Sequence, residues 1–391
     1  MKIGVFFGGK SPEHDVSIIT GQLIISSLKK SGHDVVPIYL DKTGAWFIDS
    51  ALGTLSFFKE VGIDERLQKC GRYNIDLDLS KNKIVFKKTG LFGKTIEIEL
   101  AFPAFHGMNG EDGTIQGLFE IFNIPYVGCE VAASAVAMDK ILTKQLYQAL
   151  NIPTTKFIYF SEADWNNNKN GLIEQCEKLQ YPVFVKPPKL GSSIGISRAN
   201  NRQELEFSIE VVFNYGERAL VEAAVLNLKD LTCAIIGTAD PIASLVQESR
   251  FESDFFNYEE KYLNDGGTQL GNAQKGLIIP ADLDVETTLQ IQTMAKKIFI
   301  QFGCSGIARV DFLYDSFSKN LFANEINPLP GTVYHHLWQA SGIELPVLIE
   351  KLIVFAKERH QNKNKYTYGF NSDILKFATS SKLKGGKIVS N

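Results

Sequence analysis

The chain opens on an apolar run that gives way to helical spacing. Residues 2–7 (Lys2-Ile3-Gly4-Val5-Phe6-Phe7) read as a strand ending at Gly8-Gly9, and Ile18, Leu23, Ile24 and Leu28 give residues 17–30 one apolar helical face. Residues 35–40 open the next strand. Strand, glycine loop, helix and strand begin an open α/β sheet, whose ligands normally sit beyond the carboxyl ends of its strands. The pattern is less regular over residues 45–100, where 84–86 and 96–100 are candidate hairpin strands around a basic turn. The sheet resumes at 100–105, followed by a helix at 115–122 and a strand and loop at 124–128.

A helix from Asp139 turns Ile141, Leu142, Leu146 and Leu150 toward a core and stops at Asn151-Ile152-Pro153. Residues 155–160, 183–186 and 195–198 then read as strands with intervening helices, an α+β pattern. Further on, strands at 219–222, 232–236, 242–247, 306–313 and 321–327 alternate with one long helix at 285–301. The chain therefore divides into an N-terminal open parallel α/β unit (1–128), a central unit (129–218), a C-terminal unit (219–355) and a basic tail (356–391). The loop 249–274 is polar, aromatic and glycine-containing, and its length marks a lid, a binding loop or a disordered segment. The tail carries eight Lys/Arg against two Asp/Glu and reads as solvated, with a short docking helix at 373–377 as the rival.

At 391 residues and 44% hydrophobic, the chain can bury a core spread over two or three subdomains. A net charge of -3 gives no overall electrostatic reason to expect nucleic acid or a membrane surface as partner. The start shows no signal-peptide pattern and no run of apolar residues long enough to span a bilayer, so a cytoplasmic protein is expected. Five cysteines, scattered and without a C-x-x-C pair, point to neither a disulfide framework nor zinc, and read as small core residues.

Candidate chemistry gathers in three places. Ala308-Arg309-Val310-Asp311-Phe312, followed after a short gap by Asn324-Glu325-Ile326-Asn327, would bring the oxygen ligands Asp311, Glu325 and Asn327 together on two strands. That set suits Mg²⁺ bridging nucleotide phosphates. Lys186 ends an apolar strand and is followed by Leu190-Gly191-Ser192-Ser193-Ile194-Gly195, a small-residue loop whose N–H groups can approach phosphate closely. No Walker A sequence occurs, and a lone loop of this kind is most often an ordinary turn. Met138-Asp139-Lys140 supplies a second lysine, and Glu222 ends a strand where the adjacent backbone can meet an adenine edge.

Several ordered motifs now carry a resemblance. They are Gly8-Gly9-x-Ser11-x-Glu13-His14-x-Val16-Ser17, His106-Gly107-x-x-Gly110-Glu111-Asp112-Gly113-x-Ile115-Gln116-Gly117, Asp139-Lys140, the lysine and Gly-Ser-Ser loop, Phe256-Asn257-Tyr258-Glu259-x-Lys261-Tyr262, and Asn324-Glu325-Ile326-Asn327-x-x-Pro330-Gly331. Over about residues 2–355 the chain resembles the D-alanine–D-alanine ligases of the ATP-grasp superfamily.

The resemblance implies an ATP-grasp fold behind an N-terminal α/β domain, with the nucleotide held between the central and C-terminal units. It also implies a two-step reaction through a D-alanyl acyl phosphate, in the synthesis of peptidoglycan precursors. By matching position, Lys140, Lys186, Ser192, Ser193, Glu222 and Lys261 resemble the ATP-contacting residues. Asp311, Glu325 and Asn327 resemble the ligands of two Mg²⁺ ions, with Mn²⁺ as an alternative. Glu13, Ser192, Arg309 and Gly331 match catalytic positions, with Arg309 facing the developing tetrahedral oxygen. Glu13 and His106 match the first-substrate pocket, while Lys261, Arg309, Gly331, His336 and Leu337 match other substrate contacts. His14 and His33 read as structural, and His360 falls in the tail. A homodimer is the assembly that the resemblance favours.

Three departures bear on the product. The family's ribose-binding glutamate is missing at its usual interval after Glu222, where Asp230 is the best substitute. Phe256 replaces a lid tyrosine, as in ligases that join D-alanine to D-lactate, although Tyr258 lies nearby. His336 stands where a carboxylate-holding serine is expected, and Pro328 replaces a usual threonine. An imidazole can donate to a carboxylate and gain charge on protonation, so pH could select among acceptors. D-alanine is the leading acceptor, with D-lactate or another small D-compound as the alternative. A regulator that binds nucleotide without catalysis is disfavoured, because Lys140, Lys186, Arg309, Asp311, Glu325 and Asn327 are all present.

Overall fold

β1 (Lys2–Gly8) forms where every residue but the first is buried. Its side chains alternate between two cores, as a strand's period of two requires. Ile3, Val5 and Phe7 pack on one side with Trp338 and Leu352, and Phe6 packs on the other with Phe86 and Phe119. The computed structural model describes residues 1–90, 93–250, 276–367, 369 and 372–377.

The N-terminal sheet combines β1 with β2 (Asp34–Leu40), β3 (Trp46–Ile48), β4 (Arg72–Ile75), β5 (Ile84–Lys88), β6 (Thr95–Ile98) and β7 (Leu100–Pro103), in the order β6-β5-β4-β3-β2-β1-β7. Only β2-β1-β7 is parallel. The segment whose pattern was irregular in the sequence extends the sheet as an antiparallel meander. Its strands are three to five residues long, too short for alternation to show.

The central sheet contains β8 (Phe157–Ser161), β9 (Val183–Lys186), β10 (Ser197–Ala199) and β11 (Arg218–Ala223) in the order β10-β9-β11-β8. The third holds β12 (Leu228–Gly237), β13 (Ile242–Ser249), β14 (Leu277–Ile278), β15 (Gly306–Asp315) and β16 (Leu321–Asn327) in the order β14-β13-β12-β15-β16. Both are antiparallel throughout. The helix Val285–Gln301 backs the third sheet through Ile291, Ala295, Ile298 and Phe299.

Asp139 caps the helix Lys140–Ala149, its carboxylate accepting from Ile141 N and Leu142 N. The buried face of that helix differs from the sequence expectation: Ile141, Thr143, Lys144 and Tyr147 are inside, while Leu142 is exposed.

The basic tail also needs correction. The helix Leu345–Lys363 runs through position 356 with Ala356 buried, and Arg359 donates to the carbonyls of Gly128 and Tyr126. His360, expected in the tail, sits in this helix with its Nε2 3.0 Å from Asn123 O. Residues 374–377 form one 3₁₀ turn. All five cysteines are buried and free, and among the described residues no helix is long and apolar enough to cross a membrane.

Candidate active site

The third sheet builds the centre by register. Arg309 on β15 lies opposite Asn327 on β16, and Asp311 lies opposite Glu325. Because alternate residues share a face, all four side chains belong to one side of the ladder. Arg309 Nε donates to Asp311 Oδ1 at 2.9 Å, and its Nη2 donates to Oδ2 at 2.6 Å, a fork-on-carboxylate arrangement. Thr232 on β12 donates a further bond to Asp311 Oδ1 at 2.9 Å. Glu325 Oε1 lies 3.9 Å from the guanidinium and Oε2 lies 3.5 Å from Lys140 Nζ. Burial, reinforced by Glu325 across the ladder, raises the Asp311 carboxyl above its ordinary range against the pull of Arg309. Arg309 Nη1 is buried without a hydrogen-bond partner among the described residues, a donor left for an anionic group.

The central sheet contributes a second charged cluster. Glu222, 1% exposed, pairs with Lys186 and with Lys144, whose Nζ is 2.6 Å from Oε2. Thr155 Oγ1 donates to the same Oε2 at 2.9 Å. Burial lowers the Lys144 ammonium to about 7, opposed by Glu325. Lys140 Nζ also donates to Leu190 O at 2.7 Å, so it connects the small-residue loop to β16.

Beside these groups, between the ends of the two sheets, lies a cavity of about 510 Å³ lined by Phe184, Arg198, Val225, Leu226, Asp230 and Glu248 among others. The backbone immediately after Glu222 is already committed, Ala223 N to Lys156 O and Ala224 N to Pro182 O. The chain from residue 224 onward lines the cavity.

Three loops meet at Glu13, which is 7% exposed. Ser192 Oγ donates to Glu13 Oε1, and Ser192 and Ser193 both take left-handed backbone. A Cβ on Gly191 would sit 2.7 Å from Glu13 Oε2, and one on Gly107 would sit 2.8 Å from the same atom. Glycine is required at both positions for this close approach, and at Gly107 the φ of 72° adds a conformational reason.

His106 is buried with Nε2 2.8 Å from Thr20 Oγ1, which accepts from Thr332 N at 3.0 Å. Its Nδ1 lies 3.9 Å from Glu111, whose carboxylate accepts from Gly107 N at 2.6 Å. His106 thereby ties its own loop, through Thr20 on the helix His14–Lys30, to the turn that begins at Gly331. His14 is structural, as expected, with Nδ1 2.6 Å from Gly9 O and Nε2 3.0 Å from Tyr39 Oη. His33 pairs with Glu350 at 2.6 Å.

The turn Gly331–Tyr334 is left-handed at three consecutive non-glycine residues, with φ of 51°, 49° and 50° at Thr332, Val333 and Tyr334. Such backbone costs about 1–2 kcal/mol per residue. It is held by the Thr332–Thr20 bond and by burial of Val333 and Tyr334 in the N-terminal core. The turn places the Tyr334 ring 5.2 Å from the Arg309 guanidinium and 4.6 Å from the His336 ring.

His336 Nε2 is 2.8 Å from Gln247 Oε1, and burial first, then His335 and Arg309, lowers the imidazole to about 4. A lowered imidazole opposes the expectation that its protonation selects the acceptor. The Leu337 side chain is fully buried in the core, which leaves its backbone as the part that can meet a ligand. Phe256, Tyr258, Lys261 and nearly all of the expected lid lie outside the described residues.

Sequence reading missed Lys144, Thr20, Glu111, Gln247 and Tyr334. Lys144 had a signal, since it falls three residues after Ile141 and three before Tyr147 on the buried face of its helix. The others join the site through contacts distant in sequence.

The donor set fits a divalent cation. Asp311 and Glu325 are two carboxylates facing each other across a ladder, and Asn327 adds an amide oxygen on the same face. Among the described residues no cluster of three His, Cys, Asp or Glu groups exists. Two carboxylates and an amide oxygen are donors of the kind that Mg²⁺ can take, with phosphate and water to complete its shell.

Two antiparallel sheets with a lysine-bearing cluster facing an acidic ladder, behind an α/β domain, define an ATP-grasp protein. The family models "D-ala D-ala ligase N-terminus" and "D-ala D-ala ligase C-terminus" match residues 2–129 and 146–354. A D-alanine–D-alanine ligase of Thermosipho melanesiensis is 38% identical over 377 residues, covering 96% of this chain and 98% of the relative. Among solved structures, the D-alanine–D-alanine ligase of Coxiella burnetii superposes with a TM-score of 0.76 at 29% identity, covering 93% of this chain and 97% of that one. VanG D-Ala:D-Ser ligase of Enterococcus faecalis gives 0.76 at 30%, covering 91% and 99%. The chain belongs to the D-alanine–D-alanine ligase family.

Proposed function

We propose that this protein is an ATP-dependent D-alanine–D-alanine ligase acting in peptidoglycan precursor synthesis in the cytoplasm. The observation that carries the reading is the ladder of Arg309, Asp311, Glu325 and Asn327, joined through Lys140 to the loop after Lys186. A carboxylate oxygen of the first D-alanine attacks the γ-phosphorus, and ADP leaves. The amine of the second D-alanine then attacks the acyl carbon, and the C–O bond to phosphate breaks as inorganic phosphate departs with the bonding electrons.

Phosphoryl transfer asks the protein for position and charge more than for covalent help. Lys140, Lys186 and the loop at Ser192 and Ser193 orient the phosphates, and the cavity at Asp230 takes the nucleoside. Lys261, by its matching position, is a further contact to the nucleotide. Glu13, held by Ser192, receives the ammonium of the first D-alanine, and His106 fixes its loop. Arg309 presents its unpartnered Nη1 to the oxygen that becomes negative when the amine attacks. Asp311, Glu325 and Asn327 would hold Mg²⁺, two ions by the family resemblance, or Mn²⁺; bound there, the metal supplies charge neutralisation at the phosphates.

Phosphate release dependent on both ATP and D-alanine, with a product of the mass of D-alanyl-D-alanine, is the expected result. ATP binding without D-alanine-dependent turnover would sink the reading in favour of a nucleotide-binding regulator. The same assay with D-lactate or another small D-acceptor tests the alternative product. A homodimer is the expected assembly, and sedimentation at the monomer mass would oppose it.

A further inference from the structure

A β-bulge decides which way Glu325 points. Along β15 and β16 the pairs Arg309–Asn327, Val310–Ile326 and Asp311–Glu325 run in step, but Phe312 then pairs with Ala323, so Asn324 is an extra residue with none opposite it. Leu321, Ala323 and Ile326 all lie in the hydrophobic core of this unit. Spaced by two and then by three, they share one face only because the bulge intervenes. Without it, a strand that buries Leu321 and Ala323 would turn Glu325 and Asn327 into the same core, away from Asp311 and Arg309.

β16 is the edge strand of its sheet, and the stem that leads from the helix Lys140–Ala149 into β8 meets that edge at the bulge. Ala323 N donates to Pro153 O at 2.8 Å, and Ala323 O, the carbonyl of the peptide leading into Asn324, accepts from Thr154 Oγ1 at 2.9 Å. A carbonyl oxygen cannot donate, so the single hydroxyl hydrogen of Thr154 is used there. Lys144 Nζ donates to the same Oγ1 at 3.0 Å, and it also reaches Thr155 Oγ1 at 2.9 Å and Glu222 Oε2 at 2.6 Å. One hydroxyl thus stands between the charged cluster at Glu222 and the bulge that aims Glu325.

Resting on the proposed reading of Asp311, Glu325 and Asn327 as metal ligands, we propose that Thr154 is a positioning residue of the metal site. It acts through β16 and touches neither metal nor substrate. By holding the Ala323–Asn324 peptide it keeps Glu325 and Asn327 on the face of Asp311, and through Lys144 it ties that orientation to the nucleotide side of the cleft.

Mn²⁺ binding to the full chain, saturated with the β,γ-imido analogue of ATP and without D-alanine, reads this by electron paramagnetic resonance, apart from turnover. Thr154→Val keeps the branched shape and removes the hydroxyl; its Kd for Mn²⁺ should rise about tenfold, the weight of one hydrogen bond. In turnover it should need about tenfold more Mg²⁺, with the first-site D-alanine KM unchanged. Thr154→Ser keeps the hydroxyl and should bind Mn²⁺ close to wild type. Thr155 shares Lys144 and Glu222 with Thr154, while the bond to Ala323 O comes from Thr154. Thr155→Val should therefore raise ATP KM and leave the Mn²⁺ Kd at saturating nucleotide as it was. Thermal melting reports folding, and Thr154→Ala, which removes the same hydroxyl without filling its place, gives the same reading where the valine variant does not fold.

An unchanged Mn²⁺ Kd in Thr154→Val, an equal loss in Thr154→Ser or Thr155→Val, or a parallel rise in D-alanine KM would overturn the proposal. Absence of any dipeptide from the wild-type protein is a different failure: it refutes the ligase reading, while the Mn²⁺ titrations still decide the role of Thr154.

Discussion

Replacing Arg309 by methionine keeps much of the side-chain volume and removes a guanidinium bonded to both oxygens of Asp311 at 2.6–3.1 Å. Arg309 is 4% and Asp311 8% exposed, so the surviving carboxylate is left buried without its cation and with Glu325 opposite. Breaking a buried pair in this way costs about 3–5 kcal/mol. The cost should depend on pH. Burial and Glu325 already raise the folded-state pKa of Asp311, and loss of Arg309 removes the main opposing influence. A carboxyl raised above its unfolded value of about 3.9 favours the fold when protonated, and that contribution is lost as pH rises through the folded pKa. The defect of Arg309→Met therefore grows between pH 5 and pH 8.

Thermal unfolding of the wild type, of Arg309→Met and of Arg309→Met/Asp311→Asn at both pH values measures it. The single variant should melt about 10 °C lower at pH 8 and closer to wild type at pH 5. The double variant should recover most of the loss. Turnover should fall by about a hundredfold or more in both, because neither restores the donor. A defect that ignores pH, or a double variant no more stable than the single, would refute the charge argument. Undiminished phosphate release would remove Arg309 from the chemistry.

Lys144→Met removes one of two cations on Glu222; ATP KM should rise by about tenfold or more and stability fall by about 3 kcal/mol, read by nucleotide titration and urea unfolding. Gly107→Ala places a methyl 2.6 Å from Ser11 Oγ and 2.8 Å from Glu13 Oε2 at a φ of 72°. It should raise the first-site D-alanine KM and leave ATP binding intact, as two separate substrate titrations would report. Chelation by EDTA should abolish turnover and hardly shift melting, since Lys140 and Arg309 already hold the acidic ladder without metal; Mg²⁺ or Mn²⁺ should restore activity.

How much of this was legible in the sequence followed from length and burial. The helix Val285–Gln301 and the strands β9 and β16 sit where the pattern places them, because each is long or apolar enough for its period to show. In the meander the hairpin expected at 84–86 and 96–100 is β5 and β6, whereas β3 and β4 did not read, since strands of three and four residues carry little alternation. Within the site, residues two apart on one strand were readable as a set: Arg309 and Asp311, or Glu325 and Asn327. What joins them to the rest was not. Thr20, His106 and Thr332 form one chain of contacts across more than three hundred positions, and no local period records it. The exchange of serine for histidine at position 336 was visible, but not its hydrogen-bond partner, because Gln247 reaches it from another strand.

On the proposed reading, the charge distribution gives a reason for metal in addition to the lysines. Lys140, Lys144, Lys186 and Arg309 are all engaged by Glu222, Asp311 or Glu325. Their attraction for phosphate is thus largely offset within the protein, and a nucleoside triphosphate brings several negative charges of its own. Removing the acidic partners would strengthen the field, but four like charges packed into a buried cleft would destabilise the fold. Retaining them offsets the lysines and arginine, and on the proposed reading it makes Asp311 and Glu325 available as cation ligands when phosphate and metal arrive together. Binding of nucleotide and of metal should therefore be mutually strengthening, each supplying the charge that the other lacks.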